Sequence, residues 1–324
     1  MTSDVTTRPV FGPHDDSFHF DVLGDDWWAT ETSWFSFHHP ARNLGGWLYT
    51  MVRPNIGTVA GGVWVWDHTA HLPWDVLYST NYTALQLPAD VDLTDVALPT
   101  GVSIRAVKPA QRYHLGYDDP GRLTLDLTFD AVMPPEPMTS VRSTFGKARH
   151  FDQFGRVTGT VVVQGEQIDI DCFAVRDRTW GRRREDRPRK AAYVTGAAGP
   201  DDSFLAVTQE DDGVDVVAYG FLRKDGRTVP LVGGERRVER DPVQGWTSRI
   251  ELEVVDAEGR TMRAVGHPVS RIVINRHTFI DINSLVRWDL DDPTAGGPAW
   301  GEDQDMWPVH DWADDHRTRM AGRS

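Results

Sequence analysis

The stretch that decides the fold is Leu123-Thr124-Leu125-Asp126-Leu127-Thr128-Phe129-Asp130, in which apolar and polar residues alternate without a break. Successive side chains on a β-strand point to opposite faces, so the apolar residues share one face and the polar residues share the other. This alternation is typical of an antiparallel strand that is buried on one face only. It predicts a sheet that covers a hydrophobic core.

Similar patterns occur on both sides of this stretch. Predicted strands before it cover Trp27–Phe37, Gly45–Arg53 and Val63–Asp67, and after it a hairpin about Gly165-Glu166 covers Thr160–Val175, followed by strands near 204–209, 214–222, 249–255, 260–265 and 270–282. No capped helical pattern exceeds two turns, although the acidic tail Trp300–Ser324 has room for a short packed helix or strap. Short strands joined by tight turns predict an all-β fold of sandwich or barrel type.

The segment Met133–Met138 holds three prolines and interrupts the strand pattern. Proline-rich segments are typical of junctions between domains. We therefore expect one domain at residues 1–140 and a second at 141–324. Halves of about 140 and 180 residues are each long enough to close an antiparallel barrel of about eight to ten strands.

Composition limits the function classes. The chain has 34 Lys and Arg against 48 Asp and Glu, a net charge of −14, so nucleic acid is not an expected partner. The single cysteine, Cys172, cannot form an intramolecular disulfide and is expected to be a small buried residue. Met1–Pro9 lacks an apolar signal region, and no apolar run is long enough to span a membrane. We expect a soluble cytoplasmic protein, and the sequence leaves a homodimer open.

A charged stretch, Arg176-Asp177-Arg178-Thr179-Trp180-Gly181, interrupts the strand pattern near the middle of the chain. Polar residues at the end of a strand often form functional sites. The alternative is a structural ion-pair knot, with Trp180 in the core beneath it.

Aromatic residues are concentrated in the first quarter, which contains seven of the thirteen tryptophans. They are expected to form either core or the wall of an apolar pocket. On the strand that begins at Trp27, Glu31 shares a face with Phe35 and Phe37. If that face is the interior, burial should raise the pKa of Glu31 and make it suitable as a general acid.

Several motifs together resemble those of a known superfamily. They are His150–Gly159 followed by Arg176–Gly181, then Glu31–Phe37, Gly45-Gly46, Arg53-Pro54-Asn55, and Trp300-Gly301-Glu302. The chain resembles a bacterial branch of the tandem lipocalin-like superfamily that includes AttH proteins, carotenoid 1,2-hydratases and some fungal Diels-Alderases. This resemblance implies two lipocalin-like antiparallel β-barrels in tandem. The chain departs from the branch at Arg178, where histidine is usual, so a carboxyl such as Asp177 or Glu31 would have to transfer protons there.

The resemblance also implies an apolar terpenoid, steroid or polyene ligand in a barrel or between the barrels. Hydration, cyclisation or isomerisation of an alkene needs a desolvated acid and aromatic faces that stabilise a cation. The candidate catalytic residues are Glu31, Asp177, His150 and Asp67, and the candidate substrate-binding residues are Trp34, Phe37, Asn55, Trp64, Trp66, Arg176, Arg178 and Trp180. No metal-binding spacing or nucleotide-binding glycine motif is present, so no cofactor is expected. The alternative function is a non-catalytic carrier of a lipophilic ligand.

Overall fold

The computed structural model describes residues 10–138, 148–184, 189–276, 278–291 and 297–322, and its strands form two antiparallel sheets. The first sheet contains β1 (Ala29–His39), β2 (Leu44–Arg53), β3 (Thr58–Trp66), β4 (Tyr78–Ser79), β5 (Tyr82–Gln86), β6 (Asp95–Ala97), β7 (Ser103–Lys108), β8 (Arg112–Asp119), β9 (Leu123–Ala131), β10 (Glu136–Pro137), β11 (Arg149–Val163) and β12 (Glu166–Arg182). The second contains β13 (Ala191–Ala197), β14 (Ser203–Asp211), β15 (Val214–Lys224), β16 (Arg227–Arg240), β17 (Thr247–Asp256), β18 (Thr261–Arg276), β19 (Phe279–Leu290) and β20 (Ala299–Pro308). The predicted all-β tandem barrel fold is confirmed.

The two sheets differ in how they close. In the first, the strand order is β4-β3-β2-β1-β12-β11-β9-β8-β7-β6, with β5 beside β3 and β10 beside β11. In the second, β13 to β20 pair in chain order and form a closed eight-stranded barrel. Because β11 and β12 belong to the first sheet, the change of sheet falls between Arg182 and Ala191. We therefore propose a domain division after β12, in place of the one expected at residue 140.

Among the described residues, three large hydrophobic clusters fill the fold, and a fourth, small one joins Phe11, Phe151 and Trp180. One lies on the face of the first sheet that points away from the second sheet, which is called the inside of the first sheet. It includes Phe35, Phe37 and the predicted apolar face of β9, with Cys172 buried among them as expected. A second lies inside the closed barrel and includes Trp288. The third contains residues from both sheets, among them Trp34 from β1 and Ile272 from β18. The outer faces of the two sheets therefore pack against each other through these side chains, and this contact is called the inter-sheet face.

Two adjacent glycines in β2 allow large rings to lie against both faces of the first sheet. A Cβ atom at Gly46 would lie 2.1 Å from the ring of Phe37, which is inside the sheet. A Cβ atom at Gly45 would lie 2.6 Å from the indole of Trp66, which is on the inter-sheet face. The Gly45-Gly46 motif is thus needed for close ring packing rather than for a turn.

The tail forms α1 (Val309–Ala321), which has 13 residues and is longer than the sequence pattern predicted. It has no buried residues, so the apolar stripe that reveals most helices is absent. Ion pairs one turn apart, Arg317 with Asp314 and Arg319 with Asp315, stabilise it instead. The described residues include no helix that is both long and apolar enough to cross a bilayer.

Candidate active site between the two sheets

Strands β1 and β12 pair directly, and their alternation divides the predicted site residues between two environments. Trp34 on β1 is paired with Asp177 on β12, and both face the second sheet. The candidates that face the interior of the first sheet are Glu31, Phe37, Arg176, Arg178 and Trp180. The two carboxyls proposed as acids, Glu31 and Asp177, therefore lie on opposite sides of one sheet.

Inside the first sheet, Glu31 forms a buried ion pair with Arg178, with Oε2 and Nη2 2.5 Å apart. The backbone N–H of His19 donates to the other carboxylate oxygen. Burial alone would raise the pKa of Glu31, but hydrogen bonds from His19 and the charge of Arg178 outweigh it, so the pKa is lowered. The predicted rise was therefore wrong: Glu31 is held as a carboxylate and does not serve as a proton donor.

Arg176 and Trp180 are held in the same end of the first sheet by the N-terminal segment. Arg176 donates to Asp16 at 2.9 Å and lies 4.2 Å from the ring centre of Tyr113. Trp180 stacks on His19, with ring centres 4.3 Å apart. The central charged stretch thus forms an ion-pair knot on this face, which is the structural alternative considered from the sequence.

Two other candidates lie away from the inter-sheet face. Asp67 accepts hydrogen bonds from the backbone and hydroxyl of Thr69, and it lines a cavity of about 160 Å³ together with Arg42, Leu44, Leu77, Val163, Gln164, Glu166 and Ile168. Asn55 donates to the carbonyl oxygens of Gly24 and Asp26. Neither residue contacts Asp177, and Asn55 fixes a loop.

An aromatic layer covers the inter-sheet face of the first sheet. Trp47 is at its centre, with ring centres 5.5 Å from Trp34, 6.0 Å from Trp64 and 5.7 Å from Trp66, all edge to face. Tyr193 of the second sheet meets Trp34 at 5.7 Å. The structure therefore brings together the three predicted tryptophans and adds two aromatic residues that sequence reasoning did not select.

Glu302 on β20 lies against this layer and is fully buried. Its Oε2 accepts hydrogen bonds from Trp47 Nε1 at 2.8 Å and from Asn283 Nδ2 at 3.0 Å. Burial raises the pKa of Glu302 to about 8, and the nearby carboxyl of Asp281 adds to the rise. Glu302 thus carries a proton at neutral pH and can donate it.

Asp177 is the second buried carboxyl on this face. Burial raises its pKa to about 6, although the neighbouring His150 opposes the rise. Within the described ranges, its Oδ1 has no hydrogen-bond partner. At neutral pH Asp177 is mostly ionised, and it has a free oxygen that can accept a proton.

His150 belongs to a buried hydrogen-bond network and acts electrostatically on Asp177. Its two ring nitrogens lie 3.0 Å from Asp152 and 2.7 Å from Thr179. The Asp152 carboxylate also accepts hydrogen bonds from the hydroxyls of Tyr193 and Tyr219. Burial would lower the pKa of His150, but the charge and hydrogen bond of Asp152 outweigh it and raise the pKa. Asp152 therefore favours the protonated form of His150, and His150 in turn opposes the rise in the pKa of Asp177.

Arginine ion pairs occur inside both sheets and also on the face between them. Inside the closed barrel, Arg236 pairs with Asp303 at 2.7 Å and with Asp215 at 2.6 Å, as Arg178 pairs with Glu31 in the first sheet. On the inter-sheet face, Arg276 pairs with Asp281 at 3.1 Å, and the charges of Arg183 and Arg276 act on Asp177. Raised pKa values at two buried carboxyls, Asp177 and Glu302, are the kind of perturbation that clusters at functional sites.

Most of the chain matches the sequence model of one protein family. The sequence model of a family described as a domain of unknown function (DUF7064) matches residues 12–297. The chain belongs to the DUF7064 family. The match includes the inter-sheet strands β1, β3, β11 and β12 but ends before Glu302. No curated protein matches the chain significantly.

Solved structures share the fold of this DUF7064 chain. A protein described as AttH from Nitrosomonas europaea has a TM-score of 0.56 at 14% identity, covering 95% of this chain and 99% of that one. Kievitone hydratase from Nectria haematococca has a TM-score of 0.55 at 11% identity, covering 95% and 96%. CghA with Sch210972 has a TM-score of 0.54 at 14% identity, covering 87% and 88%. These likenesses confirm the predicted superfamily fold.

Five residues of this face were not selected from the sequence as site residues: Glu302, Trp47, Asp152, Tyr193 and Tyr219. Glu302 was part of the motif Trp300-Gly301-Glu302, which was used only to support the resemblance. The strand β20 is acidic, and its pattern did not distinguish the inward Asp303 from the outward Glu302. A carboxyl inside a motif that carries the family resemblance was the signal that could have identified it.

Proposed function

We propose that this protein is an acid–base enzyme of the lyase or isomerase type, which adds water to, or rearranges, an apolar unsaturated small molecule at the inter-sheet face. Glu302 is the proton donor and Asp177 is the proton acceptor. The observation that supports this is the pair of buried carboxyls with pKa values of about 8 and about 6, on either side of neutrality. Two carboxyls whose surroundings push their pKa values apart can serve as the acid and the base of one reaction.

In the hydration direction, the carboxyl proton of Glu302 passes to one alkene carbon and leaves a carbocation at the other. The π faces of the tryptophan layer around Trp47 stabilise that cation, because indole rings attract positive charge. A water oxygen then bonds to the cation while Asp177 takes one of the water protons. In an isomerisation, Asp177 removes a proton from carbon instead, and no water is added.

His150 and Asp152 influence whether Asp177, the proposed base, is ionised before the reaction. His150 opposes the effect of burial on the pKa of Asp177 and so favours its ionised form. Asp152 in turn raises the pKa of His150 through the contact at 3.0 Å. The fold comparisons support small-molecule chemistry on this architecture, since one protein of the same fold is named as a hydratase and another was solved with Sch210972.

The test is incubation of the protein with a panel of terpenoids, steroids and polyenes, followed by untargeted mass spectrometry. The expected products are a mass change of one water or an isomer of equal mass. Asp177→Asn and Glu302→Gln should each lower turnover by roughly a hundredfold or more, the usual effect of losing an acid or base. Asp171→Asn, at an exposed residue of the same strand, is the matched control and should retain activity.

Unchanged turnover in both site variants would contradict the proposal. The alternative, a carrier of a lipophilic ligand, predicts binding by the wild-type protein with no product from any compound. Quenching of tryptophan emission measures that binding, because Trp34, Trp47, Trp64 and Trp66 lie together at the site.

A further inference from the structure

Several buried polar atoms on the inter-sheet face have no hydrogen-bond partner among the described residues. The donors are the indole Nε1 atoms of Trp34, Trp64 and Trp66, and the acceptors are Asp177 Oδ1, Asp281 Oδ1 and Asn283 Oδ1. Leaving one buried donor or acceptor unpaired costs about 1–3 kcal/mol, so such atoms are uncommon in native proteins. Six such atoms lie on this face, three donors and three acceptors, and a bound molecule with oxygen groups would pair with some of them.

The positions of these atoms relate them to the candidate acid and base. Trp34 is paired with Asp177 across β1 and β12, and its ring meets Trp47, which donates to Glu302. Asn283 donates to the same oxygen of Glu302 that Trp47 contacts. The unpaired donors and acceptors therefore lie beside both reacting groups, within the same aromatic layer.

We infer that the ligand of this face is an oxygenated compound, bearing hydroxyl or carbonyl groups, and not a pure hydrocarbon. An indole N–H can only donate, so Trp34 and Trp64 need an acceptor such as a ligand oxygen. Asp177 Oδ1 and Asn283 Oδ1 need a donor, which a hydroxyl group provides. A hydrocarbon of the same shape would leave both kinds of atom unpaired. This inference rests on the proposed function for its location and narrows the substrate class.

The binding test compares two probes of equal ring size, 2-naphthol and 2-methylnaphthalene, by equilibrium dialysis. An apolar face would prefer 2-methylnaphthalene, because this compound leaves water more readily. We expect the opposite order, with 2-naphthol bound at least about tenfold more tightly, since only its hydroxyl pairs with the buried atoms. Equal binding, tighter binding of 2-methylnaphthalene, or no binding of either probe would overturn the inference.

The variant Trp34→Phe removes the N–H group and keeps an aromatic ring. It should weaken 2-naphthol binding about threefold to tenfold and leave 2-methylnaphthalene within about twofold, because the smaller ring affects both probes alike. Trp74→Phe makes the same change at a side chain that is 80% exposed, and it should alter neither affinity. Equal losses for both probes in Trp34→Phe would contradict a hydrogen bond from this indole.

Turnover has no part in these measurements, so the inference and the proposed function can fail separately. If a hydrocarbon from the panel is hydrated while 2-naphthol shows no preference, only the inference is overturned. If 2-naphthol binds with the expected order but no compound is converted in the panel, the enzyme proposal is contradicted and the ligand class stands.

Discussion

Replacing Glu302 with glutamine should change how the stability of the protein depends on pH. Burial raises the pKa of Glu302 from 4.5 to about 8, so the folded protein keeps this proton over a range in which the unfolded chain has lost it. The folded state then binds more protons, and the free energy of unfolding falls as pH rises through that range. At about 1.4 kcal/mol per pH unit, Glu302 removes about 4–5 kcal/mol of stability by pH 8.

The assay is urea unfolding of the wild-type protein and of Glu302→Gln at a series of pH values from about 5 to 9. Glutamine keeps an oxygen that accepts from Trp47 and Asn283 but does not ionise, so the stability of the variant relative to wild type should rise up to about pH 8 and then level off. Glu253→Gln, at an exposed ion pair, is the control and should follow the wild-type pH dependence. Parallel curves for wild type and Glu302→Gln would refute a carboxyl that stays protonated at neutral pH.

Two further predictions concern the first sheet. Glu31→Gln should lower the free energy of unfolding by about 3–5 kcal/mol, because it leaves the buried Arg178 without its counter-ion. Turnover per folded molecule should be retained. A variant with normal stability but no activity would place Glu31 in the chemistry instead. Gly46→Ala should lower the free energy of unfolding, measured with urea, by about 3 kcal/mol, because its Cβ would lie 2.1 Å from the Phe37 ring. The control Gly199→Ala, whose Cβ would have no atom within 4 Å, should be nearly neutral. Equal effects of the two variants would contradict this packing.

Much of the fold could be predicted because strand alternation is a local property. The apolar face of β9, the hairpin that joins β11 to β12 and the shared face of Glu31, Phe35 and Phe37 were all predicted from period-two patterns, and they are confirmed. The helix α1 was not predicted at its full length, because its stability depends on surface ion pairs and not on an apolar stripe. The change of sheet after β12 depends on which strands pair, which alternation does not specify.

The candidate site was predicted in part. Trp34, Trp64, Trp66, Asp177 and His150 were selected from the sequence and lie on one face. Sequence reasoning assigned Glu31 and Arg178 to the same site, but adjacent positions on a strand face opposite sides, so they lie inside the first sheet instead. In this chain, the position at which histidine is usual in the related branch therefore holds an arginine in an ion pair with Glu31.

The sequence by itself determined which residues form strands and which of them share a face, because both follow from neighbours along the chain. Only the tertiary structure decided what each face meets. Glu31 and Arg178 are 147 residues apart in the sequence, and Trp47 and Glu302 are 255 apart, yet both pairs are hydrogen bonded. A carboxyl near Arg178 has its pKa lowered, and one buried beside Trp47 has its pKa raised, so Glu302 could be proposed as a proton donor only after these distant segments were brought together.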